Sequence, residues 1–172
     1  MSDDVVVIPA VSFIGHQGSG KTRLICRLIP TLVGRGLRVG TVKHAPHETA
    51  LDRTGSDSAQ HREAGAERTL VVGASETVLY RDERGEEPIE AMIDRSFSGL
   101  DLVLVEGFKR GPFPRIEIYR RGNRTGAEPL AGEIDVAAVV TDDRVALPDG
   151  IPILSTRALI EIADFVETLL VG

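Results

Sequence analysis

The sequence predicts an α/β protein in three layers, with a mostly parallel sheet flanked by helices on both faces. Short apolar segments alternate along the chain with segments whose apolar residues recur at helical spacing. Residues 102–105 are continuously apolar, as expected for a strand that helices cover on both sides. The length of 172 residues suits one domain with a sizeable core, so we expect residues 1–172 to form a single domain.

The first half of the chain begins with a valine-rich run at 5–14 that predicts a buried strand. A stripe of leucine and isoleucine then predicts a helix over 21–35, with Cys26 on its apolar side as a core residue. Pro30 removes the hydrogen bond to Cys26, so we expect the helix to kink or end there. The pattern continues with a strand at 38–43, a polar loop through Gly55, a short helix at 57–64 that Gly65 ends, and strands at 68–72 and 77–81.

The second half opens with a helix predicted over 87–97, where Pro88 is tolerated in the first turn. Residues 115–120 alternate Ile116 and Ile118 with Glu117 and Tyr119, which predicts a strand with one buried and one exposed face. The remaining elements are strands at 102–105, 136–140 and 151–154, and a closing helix at 156–170.

Residues 15–22 read G-H-Q-G-S-G-K-T and fit the Walker A pattern G-x-x-x-x-G-K-[ST] at every fixed position. The strand before them and the helix after them supply the context that this phosphate-binding loop needs. Lys21 is expected to reach the β- and γ-phosphates, and Thr22 to bind Mg²⁺ through its hydroxyl. The motif predicts a P-loop NTPase fold whose nucleotide-binding residues are Gly15, His16, Gln17, Gly18, Ser19, Gly20, Lys21 and Thr22.

Lysine usage gives a second indication of the same site. Lys21, Lys43 and Lys109 are the only lysines, and each lies at or just beyond the end of a predicted strand. In open parallel sheets, ligands bind outside the carboxyl ends of the strands, and lysine is a compact charge suited to phosphate. We therefore expect the three lysines to serve an anionic ligand.

Composition argues against several other classes of protein. The net charge of −6 disfavours nucleic acid as a partner, and the single cysteine excludes an internal disulfide. The acidic start lacks the features of a signal peptide, and no apolar run approaches the roughly 18 residues of a membrane span. We expect a cytoplasmic protein that binds neither nucleic acid nor membrane.

Four blocks together resemble the molybdopterin-guanine dinucleotide biosynthesis adapter proteins, the MobB family. They are G-S-G-K-T followed by L-I-x-x-L, R-G-L-R-V-G-T-V-K-H at 35–44, D-R-T-G-S-D-S-A-Q-H-R-E-A-G-A at 52–66, and D-L-V-L-V-E-G-F-K at 101–109 with P-R-I-E-I-Y-R at 114–120. The blocks follow in the right order over most of the chain, and those after the phosphate loop are much more specific than the loop itself.

The resemblance implies a GTP-binding adapter that uses Mg²⁺, assists the molybdenum cofactor guanylyltransferase joining GMP to molybdopterin, and forms a homodimer. Some relatives in the wider class carry a second lysine early in the phosphate loop, where this chain has His16, so a dimer-activated lysine mechanism is not expected. Whether the chain is an enzyme stays open, since no water-orienting glutamine or arginine finger can be named, and it is at most a slow GTPase.

Carboxylates near the predicted strand ends are candidates for the metal shell. Glu106 follows a buried strand, where an acidic residue holds the Mg²⁺ shell or orients water, and it is also the catalytic candidate. Asp52 and Asp57 flank a glycine-containing loop and are candidates to complete the shell, and Asp57 is also a candidate to bind the substrate or partner. Asp57 is equally an N-cap of the helix that follows.

Histidines and basic residues supply candidates for a substrate or partner. His44 is expected to line the site beside Lys43, although its spacing to His47 also suits zinc. Six cations lie within residues 109–124, a segment expected to lead away from the phosphate loop and to bind the phosphate of molybdopterin or an acidic partner; the alternative is a solvated hairpin tip. They are Lys109, Arg110, Arg115, Arg120, Arg121 and Arg124.

Two further points stay open from the sequence. Asp142 and Asp143 follow a late strand, where a carboxylate can accept hydrogen bonds from guanine N1 and N2. A small-metabolite P-loop kinase and a metallochaperone-type GTPase remain alternatives to the adapter, although no lid insertion and no cysteine-rich metal motif are evident.

Overall fold

The computed structural model describes residues 8–46, 51–81, 87–123 and 125–170. The chain divides into two compact units, one comprising residues 1–44 and 89–172 and the other residues 45–88. In chain order the elements are β1 (Ala10–Ile14), α1 (Lys21–Gly34), β2 (Val39–Lys43), α2 (Asp57–Glu63), β3 (Arg68–Val72), β4 (Thr77–Arg81), α3 (Ile89–Ser96), β5 (Leu102–Glu106), β6 (Arg115–Ile118), β7 (Ala138–Val140), β8 (Ile153–Leu154) and α4 (Leu159–Thr168).

The first unit contains a six-stranded sheet in the order β2-β5-β1-β6-β7-β8. Every pairing between neighbouring strands in it is parallel. Because the chain passes from β1 to β2 across β5, and reaches β6 on the other side, β1 lies between two strands that come much later in the sequence. The predicted α/β class with a mostly parallel sheet is confirmed.

Helices cover both faces of this sheet. On one face, α1 and α4 pack over the inward residues of the strands, as in the contacts among Phe13, Leu28 and Ile162. On the other face, Ile93 of α3 packs with Val103 and Val105 of β5. The unbroken apolar sequence of β5 follows from this double coverage, because its side chains have no solvent-facing side.

Strand β6 differs from its prediction. Glu117 and Tyr119, expected on an exposed face, are buried at 0% and 5% relative exposure. The expectation of a half-buried strand is wrong because β6 lies between β1 and β7, and its second face is covered by Leu130, Ala131 and neighbouring residues.

Helix α1 also departs from the sequence-based expectation in two respects. It continues through Pro30 to Gly34, so the proline does not end it. Cys26 is exposed and not part of the core. The two departures are related, since residues 26 and 30 both lie on the exposed side, where water can satisfy the carbonyl of Cys26 that the proline leaves without a donor.

The second unit consists of α2 and the antiparallel pair of β3 and β4. Ser56 is the N-cap of α2, and its hydroxyl accepts a hydrogen bond from the Ala59 amide at 3.2 Å. Leu70 and Leu79 face each other across the hairpin and are 59% and 57% exposed. None of the helices within the described ranges has both the length and the apolar composition needed to cross a bilayer.

Candidate functional site

The predicted site residues of the first unit converge on one edge of its sheet. Lys43 at the end of β2 is in register with Glu106 at the end of β5, and Phe13 of β1 is in register with Glu106 on the other side. The phosphate loop at 15–22 leaves β1 at this edge, between β5 and β6. This is the edge at which ligands bind in open parallel sheets.

Two glycines of the phosphate loop are required by its geometry. Gly15 has φ 145°, and a Cβ there would lie 2.3 Å from the carbonyl oxygen of Ile118, so no other residue fits. Gly20, with φ 98°, occupies the N-cap of α1 and has no side chain to bond the first turn. The amide N–H groups of that turn are therefore available to an anion, and the helix dipole favours one.

Lys21 is half-buried and folds back onto its own loop. Its Nζ donates hydrogen bonds to the carbonyl oxygens of Gly15 at 3.0 Å and His16 at 2.9 Å. Burial lowers the pKa of the Lys21 ammonium; Glu106 opposes this shift and Lys109 adds to it. Two cations close to one glycine-rich loop form an electrostatic environment suited to phosphate.

Thr22 and Glu106 bring the start of α1 to the end of β5. The Thr22 hydroxyl donates to Glu106 Oε1 at 2.8 Å. A hydroxyl and a carboxylate at this distance present two oxygen ligands to a hard cation, and Mg²⁺ in proteins is commonly held by one or two such groups plus phosphate and water. The two residues predicted from separate motifs therefore form one pair.

The turn after β5 is unusual in its backbone. Phe108 has φ 52° and is the one non-glycine residue with positive φ in the described part of the chain. Its ring stacks on His44 with centroids 4.0 Å apart, and the His44 amide donates to the Glu106 carbonyl at 2.9 Å. His44 thus lies at the predicted edge, packed against an aromatic ring and held beside the end of β5.

Two residues of the phosphate loop have environments that the motif did not indicate. The ring Nε2 of His16 lies 3.0 Å from the carbonyl oxygen of Glu128, in the segment after β6. The Ser19 hydroxyl is buried and has no hydrogen-bond partner among the described residues. A buried polar group without a partner is costly, and a phosphate oxygen would satisfy this one.

The basic residues of 109–124 do not form one surface. Arg115 begins β6, and its guanidinium bonds the carbonyls of Asp135 at 2.7 Å and Gly111 at 2.9 Å. Arg120 and Arg121 follow the carboxyl end of β6, which adjoins the phosphate-loop side of β1. The expectation that the whole segment leads away from the phosphate loop is therefore wrong, because β6 runs parallel to β1 beside it.

Arg120 and Arg121 have different surroundings. Arg120 is exposed, and its guanidinium makes no hydrogen bond or ion pair within the described residues. The Arg121 amide donates to Asp143 Oδ2 at 2.6 Å, and its guanidinium donates to the Arg144 carbonyl at 2.7 Å. Lys109 is exposed beyond β5, and Arg124 lies outside the described residues.

Asp142 organises the loops after β7 and β8. Its carboxylate accepts hydrogen bonds from the Ser155 hydroxyl at 2.6 Å and from the Thr156 amide at 3.2 Å, as well as from the Thr156 hydroxyl. These bonds, that from the Ser155 hydroxyl first, lower the pKa of Asp142. Both oxygens of Asp142 are thus engaged, whereas Asp143 accepts the one bond from Arg121 through Oδ2.

Asp52 and Asp57 belong to the second unit. The Asp52 carboxylate accepts from the Ser58 hydroxyl at 2.8 Å and from Arg62 Nη2 at 2.9 Å. Asp57 is the first residue of α2, and the alternative that it is the N-cap is wrong because the extended Ser56 occupies that position. Their metal and partner roles stay predictions.

No group of three or more His, Cys, Asp and Glu side chains in the part of the chain that the structure describes is arranged to hold a metal ion. His47, the second residue of the alternative zinc pair, lies outside the described residues.

Sequence reasoning missed Glu117 and Glu128. Glu117 was predicted on an exposed strand face, and Glu128 lies in an irregular segment whose backbone carbonyl makes the contact. The position of Glu117 between two buried isoleucines, Ile116 and Ile118, was the available signal. No sequence pattern reports a contact made by a backbone carbonyl.

Comparison with known proteins gives a consistent result. The sequence model of the family described as Molybdopterin guanine dinucleotide synthesis protein B matches residues 10–142. The chain is 36% identical over 163 residues to the Escherichia coli molybdopterin-guanine dinucleotide biosynthesis adapter protein, covering 93% of this chain and 92% of that protein. It is 35% identical over 174 residues to the corresponding Haemophilus influenzae protein, covering 95% and 90%.

Solved structures have the same fold. A crystal structure of molybdopterin-guanine biosynthesis protein B superposes with a TM-score of 0.72 at 29% identity, over 93% of this chain and 99% of that one. The crystal structure of Bacillus subtilis MobB gives a TM-score of 0.70 at 25% identity, over 94% and 98% of the two chains.

Proposed function

The chain belongs to the molybdopterin guanine dinucleotide synthesis protein B family, and from this membership we propose that it is a GTP-binding adapter in the biosynthesis of that cofactor. The relatives named above are adapter proteins of molybdopterin-guanine dinucleotide biosynthesis. The observation that carries nucleotide binding is the pairing of Thr22 with Glu106 beside a phosphate loop whose helix begins at an uncapped glycine.

Mg²⁺·GTP is the proposed ligand of this loop. The amides at the start of α1 and the free Ser19 hydroxyl are suited to phosphate oxygens. Lys21 would exchange its bonds to the carbonyls of Gly15 and His16 for bonds to the β- and γ-phosphates. Thr22 and Glu106 would hold the Mg²⁺ shell, which neutralises phosphate charge when the ion is bound.

Hydrolysis of GTP by this site is proposed to be slow. Glu106 hydrogen-bonds Thr22 and is suited to the metal shell, which leaves it poorly placed to orient an attacking water. Within the described residues, the guanidiniums of Arg115 and Arg121 are bonded to backbone carbonyls and are not free to act as an arginine finger in cis. The guanidinium of Arg120, unbonded among these residues, is proposed to serve molybdopterin or the partner and not the nucleotide. Rates well below the roughly 1–100 s⁻¹ of kinases follow.

The same edge of the sheet is proposed to receive molybdopterin and the guanylyltransferase. Lys43, His44 and Lys109 lie on the β2–β5 side of the phosphate loop, and Arg120 and Arg121 lie on the β6 side. On a chain of net charge −6, exposed cations concentrated here attract a pterin phosphate or an acidic protein surface. A cytoplasmic location is proposed for this adapter, as the sequence predicts.

A homodimer is proposed to form through the hairpin of the second unit. Leu70, Val72 and Leu79 share one face of β3 and β4 and are 59%, 72% and 57% exposed. An isolated two-stranded hairpin is marginal in water, and contiguous exposed apolar residues mark an interface. A second copy of the chain can cover this face, because a twofold axis brings the same apolar residues of the two copies together.

Calorimetric titration with GTP, ATP and molybdopterin, each with and without Mg²⁺, tests the proposed function. We expect GTP to bind more tightly than ATP, with an affinity that rises with Mg²⁺, and molybdopterin to bind separately. ATP binding with transfer of phosphate to a small acceptor would instead identify a kinase, and absence of nucleotide binding would overturn the proposal.

A further inference from the structure

Glu117 is a buried carboxylate that the nucleotide chemistry does not use. It lies in the middle of the sheet at 0% relative exposure. Its Oε1 accepts a hydrogen bond from the Leu130 amide at 2.7 Å, and its Oε2 accepts one from the Ala131 amide at 2.9 Å. A buried carboxylate is costly unless it is well hydrogen-bonded, so these two amides are what makes the position tolerable.

The segment that Glu117 holds extends to the phosphate loop. Residues 130–132 form a single 3₁₀ turn, and the residues just before them have no regular secondary structure. Two residues before the first anchored amide, the carbonyl oxygen of Glu128 lies 3.0 Å from His16 Nε2. Glu117 itself pairs with Ile14, the residue that precedes the loop.

A second contact places the loop against the same strand. A Cβ on Gly15 would lie 2.3 Å from the carbonyl oxygen of Ile118, so the loop backbone rests directly on the end of β6. Glu117 is the residue before Ile118, and its side chain lies on the other face of that strand from those of Ile116 and Ile118. Strand β6 therefore supports the start of the loop directly and, through Glu117 and Glu128, holds the side chain of His16.

We propose that Glu117 is a positioning residue for the phosphate loop, acting through residues 128–131 and the bond between Glu128 and His16. The proposal rests on the proposed nucleotide binding by that loop. A phosphate cradle is effective when its amides are fixed before the ligand arrives, since the ordering cost is then not subtracted from the binding free energy. The segment at 128–131 adds to this fixation from the β6 side by holding the side chain of His16, whereas Lys21 bonds only the backbone carbonyls of Gly15 and His16.

The test is a double-mutant cycle on GTP affinity with Glu117→Gln and His16→Ala. Glutamine keeps one acceptor oxygen but turns an amide N–H₂ toward the second backbone donor, so it weakens the anchor without a change of volume. We expect each substitution to weaken Mg²⁺·GTP binding by about five- to tenfold, on the scale of one hydrogen bond. The double mutant should bind GTP no more weakly than whichever single mutant has the lower affinity, because both substitutions remove the same connection.

Val166→Ala is the matched control for a general loss of stability. It removes two methyl groups from the core under α4, away from the segment at 128–131. It should lower the melting temperature while GTP affinity stays unchanged. If Val166→Ala weakens GTP binding as much as Glu117→Gln does, or if the two site substitutions multiply in the double mutant, Glu117 acts only through overall stability and the proposal is overturned.

Amide hydrogen exchange of the loop provides a readout that needs no nucleotide. The amides of residues 15–20 should exchange faster in Glu117→Gln and in His16→Ala than in Val166→Ala. If the loop amides exchange faster in these two variants but the wild-type protein does not bind GTP, the proposed function is refuted and the positioning role is retained. Unchanged exchange together with wild-type GTP affinity in His16→Ala would refute the positioning role alone, and that surface substitution does not put folding at risk.

Discussion

Thr22 and Glu106 are 84 residues apart in the sequence, and a hydrogen bond of 2.8 Å joins the hydroxyl of the first to the carboxylate of the second. The bond crosses from the first turn of α1 to the last residue of β5, so it connects the phosphate loop to the neighbouring strand. A divalent cation bound at this position would be held by the Thr22 hydroxyl oxygen and a Glu106 carboxylate oxygen, in place of the hydrogen bond between them.

Glu106→Gln should therefore reduce the Mg²⁺-dependent part of GTP affinity by about tenfold or more, the scale of a charge-assisted contact. Glutamine can still accept the Thr22 hydrogen bond, but it lacks the charge that attracts the cation. Titrations in EDTA and in Mg²⁺ separate the two parts. Asp101→Asn, at the opposite end of the β5 segment, is the control and should change neither; an equal loss in EDTA would argue against a metal role for Glu106.

Lys21→Ala should weaken Mg²⁺·GTP binding by about 2 kcal/mol or more, because it removes the charge that faces the β- and γ-phosphates. The melting temperature without nucleotide should barely move, since the Lys21 bonds to the carbonyls of Gly15 and His16 replace bonds to water at a half-buried site. Calorimetry and thermal unfolding measure the two effects. Arg38→Ala, a cation at the opposite edge of the sheet, should leave affinity intact, and unchanged affinity in Lys21→Ala would refute the phosphate-loop assignment.

Reversing Arg120 and Arg121 to Glu should abolish binding of molybdopterin or of the guanylyltransferase while sparing GTP. Since the Arg121 guanidinium bonds the Arg144 carbonyl, Arg120→Glu alone isolates the free cation. Binding should weaken with added salt, because exposed charges are screened beyond about 8 Å at physiological ionic strength. Titrations of the same variant with GTP and with molybdopterin show which of the two ligands the arginines serve. Arg38→Glu is the control. Collapse of GTP affinity alone would show that these arginines serve the nucleotide.

Asp142 should contribute to stability at neutral pH and lose that contribution in acid. Hydrogen bonds from Ser155 and Thr156 hold its folded-state pKa below the ordinary 3.8. The unfolded chain therefore takes up a proton first as the pH falls, and the stabilisation declines from about pH 4.5 downward through the folded pKa. Denaturant unfolding of wild type and Asp142→Asn across this range should converge at low pH. Curves that stay parallel would show that Asp142 does not titrate in this way.

Substituting Leu70→Glu together with Leu79→Lys should convert the proposed homodimer to a monomer. The two residues face each other across the hairpin, so the new charges can pair and keep the strands together while the apolar face is lost. Light scattering after size exclusion measures the mass. Leu51→Lys, which changes an exposed leucine of the same unit outside the hairpin, should leave the mass unchanged. A wild-type protein that is monomeric at all concentrations would contradict the dimer.

Much of the first unit could be predicted from sequence because its signals are local. The phosphate loop is defined by backbone geometry that only glycine supplies at Gly15 and Gly20, so the residue types themselves report the conformation. Strand β5 was recognised because double burial requires an unbroken apolar run. Lys43 and Glu106 were placed at one edge by strand polarity alone, and their register confirms that placement.

What sequence could not supply were relationships that depend on strand order. The burial of Glu117 follows from the position of β6 between β1 and β7, which its own alternation does not encode. The expectation that residues 109–124 lead away from the phosphate loop is wrong for the same reason, because the sequence does not show that β6 lies beside β1. The sequence left open whether Pro30 kinks or ends α1. The helix continues through it, because the cost of an interior proline depends on whether water reaches the carbonyl that it leaves unpaired.

The place of β1 between β5 and β6 constrains how the protein is made. Residues 10–14 are synthesised early, yet their hydrogen-bonding partners on both sides are residues 103–106 and 115–117. On the ribosome, the first strand and the loop it carries must wait, unpaired, until about two thirds of the chain has emerged, while residues 45–88 form a contiguous unit that is complete much earlier. The loop at 15–22 therefore gains its supporting strands late in translation, after the hairpin unit has already left the exit tunnel.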